Sequence, residues 1–104
     1  MKRISGEIIV YSVLLSKDGV GIEEIKINLY KLCGLSPKLV DSKFTDREGK
    51  VVFYNLEKGS YRVIELIDKK HFQKPIYLKW NEVRIDEFNG EGLIYAINKP
   101  KNLI

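Results

Sequence analysis

Residues 45–65, TDREGKVVFYNLEKGSYRVIE, constrain the fold of this chain more than any other segment. β-Branched and aromatic residues are concentrated there in two short runs, Val51 to Tyr54 and a second run that starts at Tyr61 and continues to Ile67. A glycine, Gly49 or Gly59, precedes each run and can take a turn conformation at little steric cost. Short runs of this composition, bounded by turn residues, predict two β-strands.

The same pattern recurs along the rest of the chain, and no segment keeps the spacing of an amphipathic helix for long. Residues from Ile25 to Leu29 alternate apolar and polar, as in a strand with one face toward a core and one toward water. From Leu39 to Thr45, Val40 and Phe44 share one face and polar residues the other. Further strands are expected at Ile8 to Leu15 and at Leu93 to Asn98. The runs Ile76 to Leu78 and Val83 to Ile85 are either two short strands or one interrupted strand. The sequence therefore predicts an all-β fold, a two-sheet antiparallel sandwich of about seven strands.

The length of 104 residues fits a single domain, residues 1–104, and we expect its ordered core to span about residues 4–98. Apolar residues make up 44% and charged residues 31%, which is typical of a globular chain rather than a disordered one. No apolar run approaches the roughly 18 residues of a membrane-spanning helix, so we expect no membrane insertion. Cys33 has no second cysteine with which to form an internal disulfide, and we expect it in or near the core.

The net charge of +4 is a mild basic excess, because the 18 basic and 14 acidic residues are interspersed. The densest basic segment holds Lys69, Lys70, Lys74 and Lys79 among aromatic residues, an arrangement that can serve single-stranded nucleic acid. Nucleic-acid-binding domains usually carry stronger clusters and a recognisable motif, so we do not expect nucleic acid as a partner.

The spacing of the residues in this central segment resembles the pattern T-D-x-x-G-x-x-x-F-x-x-L-x-x-G-x-Y-x-V-x-E of Cna protein B-type repeats and related prealbumin-like (transthyretin-like) domains. The matching residues are Thr45, Asp46, Gly49, Phe53, Leu56, Gly59, Tyr61, Val63 and Glu65. The upstream segments ISGEIIVYSV, DGVGI and IKINLY fit the first two strands of that family, so the resemblance extends from Ile4 to Asn98. It implies a prealbumin-like sandwich with Greek-key, Ig-like architecture, a fold that serves varied functions.

Many domains of this family contain an isopeptide bond, in which a lysine on the first strand attacks an asparagine or aspartate on the last while a buried glutamate transfers protons. The resemblance assigns the glutamate position to Glu65 and the acceptor position to Asn98. The lysine position falls on or near Val13, and Lys17, the nearest amine, lies in a predicted turn. We therefore predict that these positions are vestigial and that no cross-link forms. Glu65 is then either buried, with hydrogen bonds from Asn98 or Tyr11 or with its carboxyl group protonated, or exposed at the sheet edge.

The segment HFQKPIYLKW holds the most suggestive surface, with His71, Phe72, Lys74, Tyr77 and Trp80 as candidate contacts for a partner or ligand. Aromatic side chains supply a large contact area at small entropic cost. The alternative is that Tyr77 and Trp80 cover the open end of the sandwich. A single histidine without a nearby cysteine predicts no metal site, and we expect no cofactor and no catalytic residues.

We therefore expect a non-enzymatic structural or protein-interaction module resembling the Cna B-type domains of bacterial surface proteins. The alternative is a small-ligand or carbohydrate-binding module that uses residues 71–80. The expected partner is a protein or a glycan, and the exposed edge strands of a small sandwich could also form a homodimer. The resemblance implies a cell-surface or secreted location, although the chain shows no signal peptide or anchor; it is then a piece of a longer protein, or an intracellular or phage-type use of the fold.

Overall fold

The structure, a computed structural model, describes residues 5–101, which form eight β-strands and no α-helix. In chain order the strands are β1 (Gly6–Leu14), β2 (Lys26–Cys33), β3 (Ser36–Phe44), β4 (Lys50–Leu56), β5 (Gly59–Leu66), β6 (Ile76–Tyr77), β7 (Glu82–Ile85) and β8 (Glu91–Asn98). The predicted all-β sandwich is confirmed. Ile4, where the expected core begins, lies outside the described residues.

The strands form two four-stranded sheets, one in the order β4-β1-β8-β6 and the other in the order β3-β2-β5-β7. Strands β1 and β8 are parallel, in continuous register from Glu7 opposite Glu91 to Leu14 opposite Asn98, whereas the other strand pairs are antiparallel. The chain therefore enters β1 at one end of the sandwich and leaves β8 at the opposite end. We call the end where β1 and β8 begin the near end, and the end where they finish the far end.

The core lies between the two sheets and is filled by alternate residues of the strands, as the two-residue period of a strand requires. The β4–β1–β8 sheet contributes Ile8, Val10, Phe53 and Ile94, and the second sheet contributes Ile27, Leu29, Tyr61, Val63 and Ile85, all at most 2% exposed. Burial of such a side chain is worth about 1.5–3 kcal/mol, so this cluster is the main source of stability. Three of these residues, Phe53, Tyr61 and Val63, are positions of the Cna B-type pattern.

The turn before β4 is held by the first residues of the same pattern. Thr45 Oγ1 accepts a hydrogen bond from Ile25 N at 2.9 Å, and Asp46 Oδ1 accepts two backbone N–H groups of its own turn at 2.9 Å. Gly49 has a φ of +75°, and a Cβ at this position would lie 2.4 Å from the carbonyl oxygen of Ser12. Since Ser12 N also donates to Gly49 O at 2.7 Å, the turn lies directly against β1.

The β2–β3 hairpin differs most from the sequence-based expectation. Strand β2 continues to Cys33, which is exposed rather than in the core. Within residues 5–101, β3 is an edge strand that pairs only with β2, and Val40 and Phe44 remain 44% and 64% exposed. Lys43 lies opposite the core residue Ile27 and shares its inward face, whereas Phe44 lies on the outer face, so the apolar residues of β3 point away from the opposite sheet.

Residues 76–85 form two strands that belong to different sheets. Ile76 and Tyr77 of β6 pair with the end of β8, whereas β7 pairs with the first half of β5. The chain crosses between the sheets near Lys79, which has a φ of +68°. The sequence left open whether this segment is one strand or two, and the change of sheet shows that it is two.

Candidate functional site

Three buried polar residues, Ser12, Glu65 and Asn98, come together near the far end of the core. Ser12 lies on β1, Glu65 on β5 and Asn98 at the end of β8, so the group joins both sheets. Ser12 and Asn98 are fully buried, and Glu65 is 5% exposed. The two-residue period of each strand explains the arrangement: Ser12 follows Ile8 and Val10 on the inner face of β1, and Glu65 follows Tyr61 and Val63 on that of β5. We call this group the polar cluster.

Hydrogen bonds connect all three members of the polar cluster. Ser12 Oγ donates a short hydrogen bond to Glu65 Oε1. Asn98 Nδ2 lies 3.0 Å from Ser12 Oγ, 3.3 Å from Glu65 Oε1, and 3.2 and 3.3 Å from the carbonyl oxygens of Val13 and Ala96. The two hydrogens of the Asn98 amide therefore have four acceptors within reach, which fixes the orientation of the side chain.

Two acceptor atoms of the polar cluster, Glu65 Oε2 and Asn98 Oδ1, are buried without a hydrogen-bond partner. Such atoms raise the free energy of the folded state, because they lose their hydrogen bonds to water. Protonation of Glu65 would neutralise the buried carboxylate and so relieve part of this penalty.

Burial raises the pKa of Glu65 above its usual value, and the hydrogen bonds from Ser12 and Asn98 only partly oppose this effect. The two side chains that donate to the carboxyl group are both uncharged. Among residues 5–101, none of the ion pairs in the structure includes Glu65. The carboxyl group thus sits among neutral groups, without the cation that would lower its pKa.

The side chain that meets Glu65 and Asn98 from the first strand is that of Ser12. The resemblance predicted this position on or near Val13, and Val13 contributes its backbone carbonyl to Asn98 instead. Tyr11, considered as a partner of Glu65, stacks on Tyr95 with ring centroids 5.2 Å apart. The inward alternation of Ile8, Val10 and Ser12 is the sequence signal that would have identified the correct residue.

Glu65→Gln is expected to remove a pH dependence of stability. Because the pKa of Glu65 is raised in the folded state, the neutral carboxyl group favours folding below its unfolded pKa of about 4.3, and this contribution is lost as pH rises through the folded pKa. Glutamine stays neutral and offers an N–H donor, so the variant should be at least as stable as the wild type at neutral pH. Urea unfolding from about pH 4 to about pH 8 measures the difference.

Glu48→Gln, which changes an exposed carboxylate, is the matched control for this series. It should keep the pH profile of the wild type. A Glu65→Gln variant with the same decline in the free energy of unfolding as the wild type would contradict a raised pKa at Glu65.

The candidate contacts in residues 71–80 are only partly gathered in one place. Phe72, Lys74 and Tyr77 line a cleft of about 1040 Å³ between β5 and the segment 68–75. Tyr77 is half-buried, and its hydroxyl accepts a hydrogen bond from Glu65 N at 2.8 Å. His71 Nδ1 pairs with Asp68 at 2.5 Å and Trp80 is 63% exposed, and neither residue lines the cleft. Tyr77 packs against the core, as expected if it covers the end of the sandwich. Trp80, in contrast, is largely exposed to solvent.

Within residues 5–101, no group of three or more histidine, cysteine, aspartate or glutamate side chains is placed to hold a metal ion. The same part of the chain contains no helix of the length and apolar character that crossing a bilayer requires.

Solved structures of two bacterial pilus proteins and of one further bacterial protein have the same fold as this chain. The backbone protein of the group B streptococcus pilus 2b matches 93% of the chain with a TM-score of 0.67 and 11% identity. The shaft pilin spaA from Lactobacillus rhamnosus GG matches 94% with a TM-score of 0.68 and 9% identity, and the TIE protein of Bacillus anthracis matches 95% with a TM-score of 0.65 and 24% identity. The chain has the fold of bacterial pilin domains. The prealbumin-like fold implied by the Cna B-type resemblance is thereby confirmed.

The chain spans 42%, 52% and 17% of the lengths of these three proteins, about half or less in each case. No protein-family model and no curated protein sequence matches the chain. The likeness therefore concerns the fold of one part of each of these proteins.

Proposed function

We propose that this chain is a non-enzymatic structural module that transmits tension along a linear surface assembly, and that no isopeptide bond closes it. The observation that carries the proposal is the parallel pairing of β1 with β8. Because the two strands are adjacent and parallel, a chain connected through both would enter at the near end and leave at the far end. A domain with this connectivity fits between neighbours in a row.

Tension applied through the two strands would load their ladder in shear. Eight residue pairs, from Glu7 opposite Glu91 to Leu14 opposite Asn98, would carry the force together, because pulling slides the strands past each other along their length. An antiparallel hairpin pulled at its open end separates one pair at a time and resists less.

The polar cluster strengthens the far end of this ladder without a covalent bond. Asn98 Nδ2 donates to groups of β1, at Ser12 Oγ and Val13 O, and to Glu65 on the opposite sheet. The strand β8 is thereby held to both its neighbour and the other sheet at the point where the chain leaves the domain. With a hydroxyl group at the position of the family's lysine, the cluster lacks the amine that an isopeptide bond needs.

The names of the structurally similar proteins support this proposal. They include a pilus backbone protein and a shaft pilin, which are proteins of filaments on bacterial surfaces. A location on the cell surface, with another protein as partner, follows from the same likeness.

Single-molecule pulling tests both parts of the proposal. Handles at Ser5→Cys and Lys101→Cys, in a Cys33→Ser background, load the β1–β8 ladder in shear and should give a high unfolding force. Ser12 and Asn98 are 86 residues apart, so unfolding should release about 300 Å of chain between them. A covalent bond between these residues would prevent the release of this length of chain, and the intact mass would be short by one ammonia.

Handles at Ser5→Cys and Lys58→Cys provide the control geometry. Gly6 lies opposite Leu56 in the antiparallel β1–β4 ladder, so this pair of handles peels the ladder from one end. The unfolding force should be clearly lower than with the first pair. Equal unfolding forces in the two geometries would contradict the structural role. A released chain length that lacks the segment between residues 12 and 98 would contradict the absence of a cross-link.

The alternative of a carbohydrate-binding module depends on an aromatic surface in residues 71–80. Trp80, the most exposed aromatic residue of that segment, lies outside the cleft that Phe72 and Tyr77 line. A glycan array with wild type and Trp80→Ala distinguishes the two functions, since sugar binding that is lost on substitution would favour the alternative.

A further inference from the structure

We propose that copies of this module dock end to end, with Phe88 of one copy inserted into the cleft beside β5 of the next. The inserted segment is the turn of residues 86–91, here called the Phe88 loop. The receiving site, here called the basic cleft, lies between β5 and residues 68–75 and is lined on its apolar side by Ile67, Phe72, Pro75 and Tyr77. The inference deepens the proposed function by naming the partner as a second copy of the chain.

Phe88 is 93% exposed on a loop whose backbone is fixed by several hydrogen bonds. Asp86 Oδ1 accepts from Phe88 N and Asn89 N, each at 2.9 Å, and Asn89 Nδ2 donates to the carbonyl of Arg84 at 2.9 Å. A large apolar side chain held out by a well-ordered turn loses little conformational entropy on binding, so its burial contributes directly to affinity. Aromatic residues with this presentation are frequent anchors of protein interfaces.

The basic cleft has the size and surface that such an anchor requires. Its volume of about 1040 Å³ admits an aromatic ring together with the adjoining backbone. Lys69, Lys70, Lys74 and Lys101 also line it. Beyond Arg62 the edge of β5 is no longer paired with β7, and side chains such as Tyr77 and Asn81 cover it instead.

The charges of the two surfaces are complementary. The Phe88 loop carries Asp86, Glu87 and Glu91 and no basic residue. Lys58 approaches Glu87 at 3.6 Å in an exposed pair, which leaves Glu87 able to interact with other cations. Asp86, in contrast, is largely committed to the loop itself through Phe88 N and Asn89 N and lies 3.6 Å from Arg84. In the cleft, the four lysines are opposed by Asp68, which pairs with His71, and by the buried Glu65. Attraction of this kind favours encounter and fixes the orientation of the partners.

The two surfaces lie at opposite ends of the sandwich. The Phe88 loop is at the near end, where Glu7 N donates to Gly90 O at 2.9 Å. The basic cleft is at the far end, where Phe72 bridges to Pro100 and Gln73 N donates to Lys99 O at 2.9 Å. Contact between different surfaces at opposite ends does not close into a dimer, and it produces a row of modules in one direction.

A mixing experiment with two surface variants tests this docking. Phe88→Ala keeps the cleft and removes the anchor, while Lys69→Glu/Lys74→Glu keeps the anchor and reverses charge in the cleft. Each variant alone should be monomeric in sedimentation at concentrations where the average mass of the wild type exceeds that of one chain. Mixing the two should restore a complex of two chains and no larger species, since only one functional contact can form per pair.

Nuclear magnetic resonance locates the contact in the same mixture. With the Phe88→Ala chain labelled, shift changes should be confined to residues 64–77 and 101, and with the other chain labelled, to residues 84–91. High salt should reduce the shifts, because the charges are exposed. A chain that carries all three substitutions is the matched control and should cause no shifts.

Absence of shifts in the mixture, shifts that persist with the control, or shifts along the edge strand β3 would each overturn the proposal. These results are separable from the proposed function. All the substitutions lie on the surface, away from the β1–β8 ladder and the polar cluster, so the pulling forces and the intact mass should be unchanged in every variant.

Discussion

Ser12→Lys is expected to convert the polar cluster into a covalent cross-link. The introduced amine would meet Glu65 and Asn98 in the core, the arrangement that the Cna B-type resemblance associates with isopeptide formation. Its neutral nitrogen attacks Cγ of Asn98 and gives up a proton to Glu65, Glu65 delivers a proton to Nδ2, and the Cγ–Nδ2 bond breaks with release of ammonia. The intact mass should therefore be short by one ammonia relative to the sequence of the variant.

The expected effect on stability is large, because the cross-link would close a loop of 86 residues. In the chain-entropy model a loop of this size contributes about 4–5 kcal/mol. For a domain of this length, that corresponds to a rise in the melting temperature on the order of 20 °C. Mass spectrometry and thermal unfolding measure the two effects independently.

Ser12→Lys/Glu65→Gln is the matched control, since it keeps the amine and removes the group that moves the proton. Its mass should be that of the unmodified sequence. Its stability should fall below that of the wild type, because an ammonium group would be buried without an anionic partner. A folded Ser12→Lys variant with an unshifted mass would show that Ser12 does not occupy the lysine position of the family.

Asn98→Asp should have the largest destabilising effect within the polar cluster. The substitution replaces the amide nitrogen, 3.3 Å from Glu65 Oε1, by a carboxylate oxygen, and two adjacent buried carboxyl groups cannot both ionise without repulsion. At neutral pH we expect a loss of about 3–5 kcal/mol, comparable with that of leaving a buried charge unpaired. This is a large share of a total stability of about 5–15 kcal/mol.

The loss in Asn98→Asp should depend on pH in a defined direction. The neighbouring carboxyl groups raise each other's pKa in the folded state, so stability is highest below the unfolded pKa values and falls as pH rises through the folded values. Urea unfolding should show the variant approaching the wild type in acid. Asn55→Asp, at an exposed asparagine, is the control without this trend, and Asn98→Asp/Glu65→Gln should recover much of the loss. A loss that is independent of pH would contradict direct contact between residues 65 and 98.

The sequence predicted the fold where the local pattern is strong. The segment from Thr45 to Glu65 contains two strands and both of their turns, and its pattern residues Phe53, Tyr61 and Val63 all lie in the core. Alternation along one strand, however, shows only which residues share a face. On β3 the inward position opposite Ile27 is taken by Lys43, and Phe44 points outward, because the register with β2 decides which face of a strand turns to the core.

The resemblance pointed to two of the three residues of the polar cluster. The third, on β1, was harder to place because long stretches of chain separate the members. Glu65 and Asn98 were assigned through the resemblance, and both are buried and lie within 3.3 Å of each other. The position on β1 was predicted on or near Val13, and the side chain that meets Glu65 and Asn98 there is that of Ser12. A count along the chain crosses the turn before β2, where a difference of one residue exchanges the inner and outer faces of a strand.

The sequence by itself determined most of the strands and turns and which residues along a strand share a face, since these depend on neighbours a few residues apart. Only the tertiary structure decided that β1 runs parallel to β8, that Ser12 meets residues 53 and 86 positions away, and that Phe88 and the basic cleft lie at opposite ends. Register between distant strands is set by packing of the whole core, and no local pattern records it.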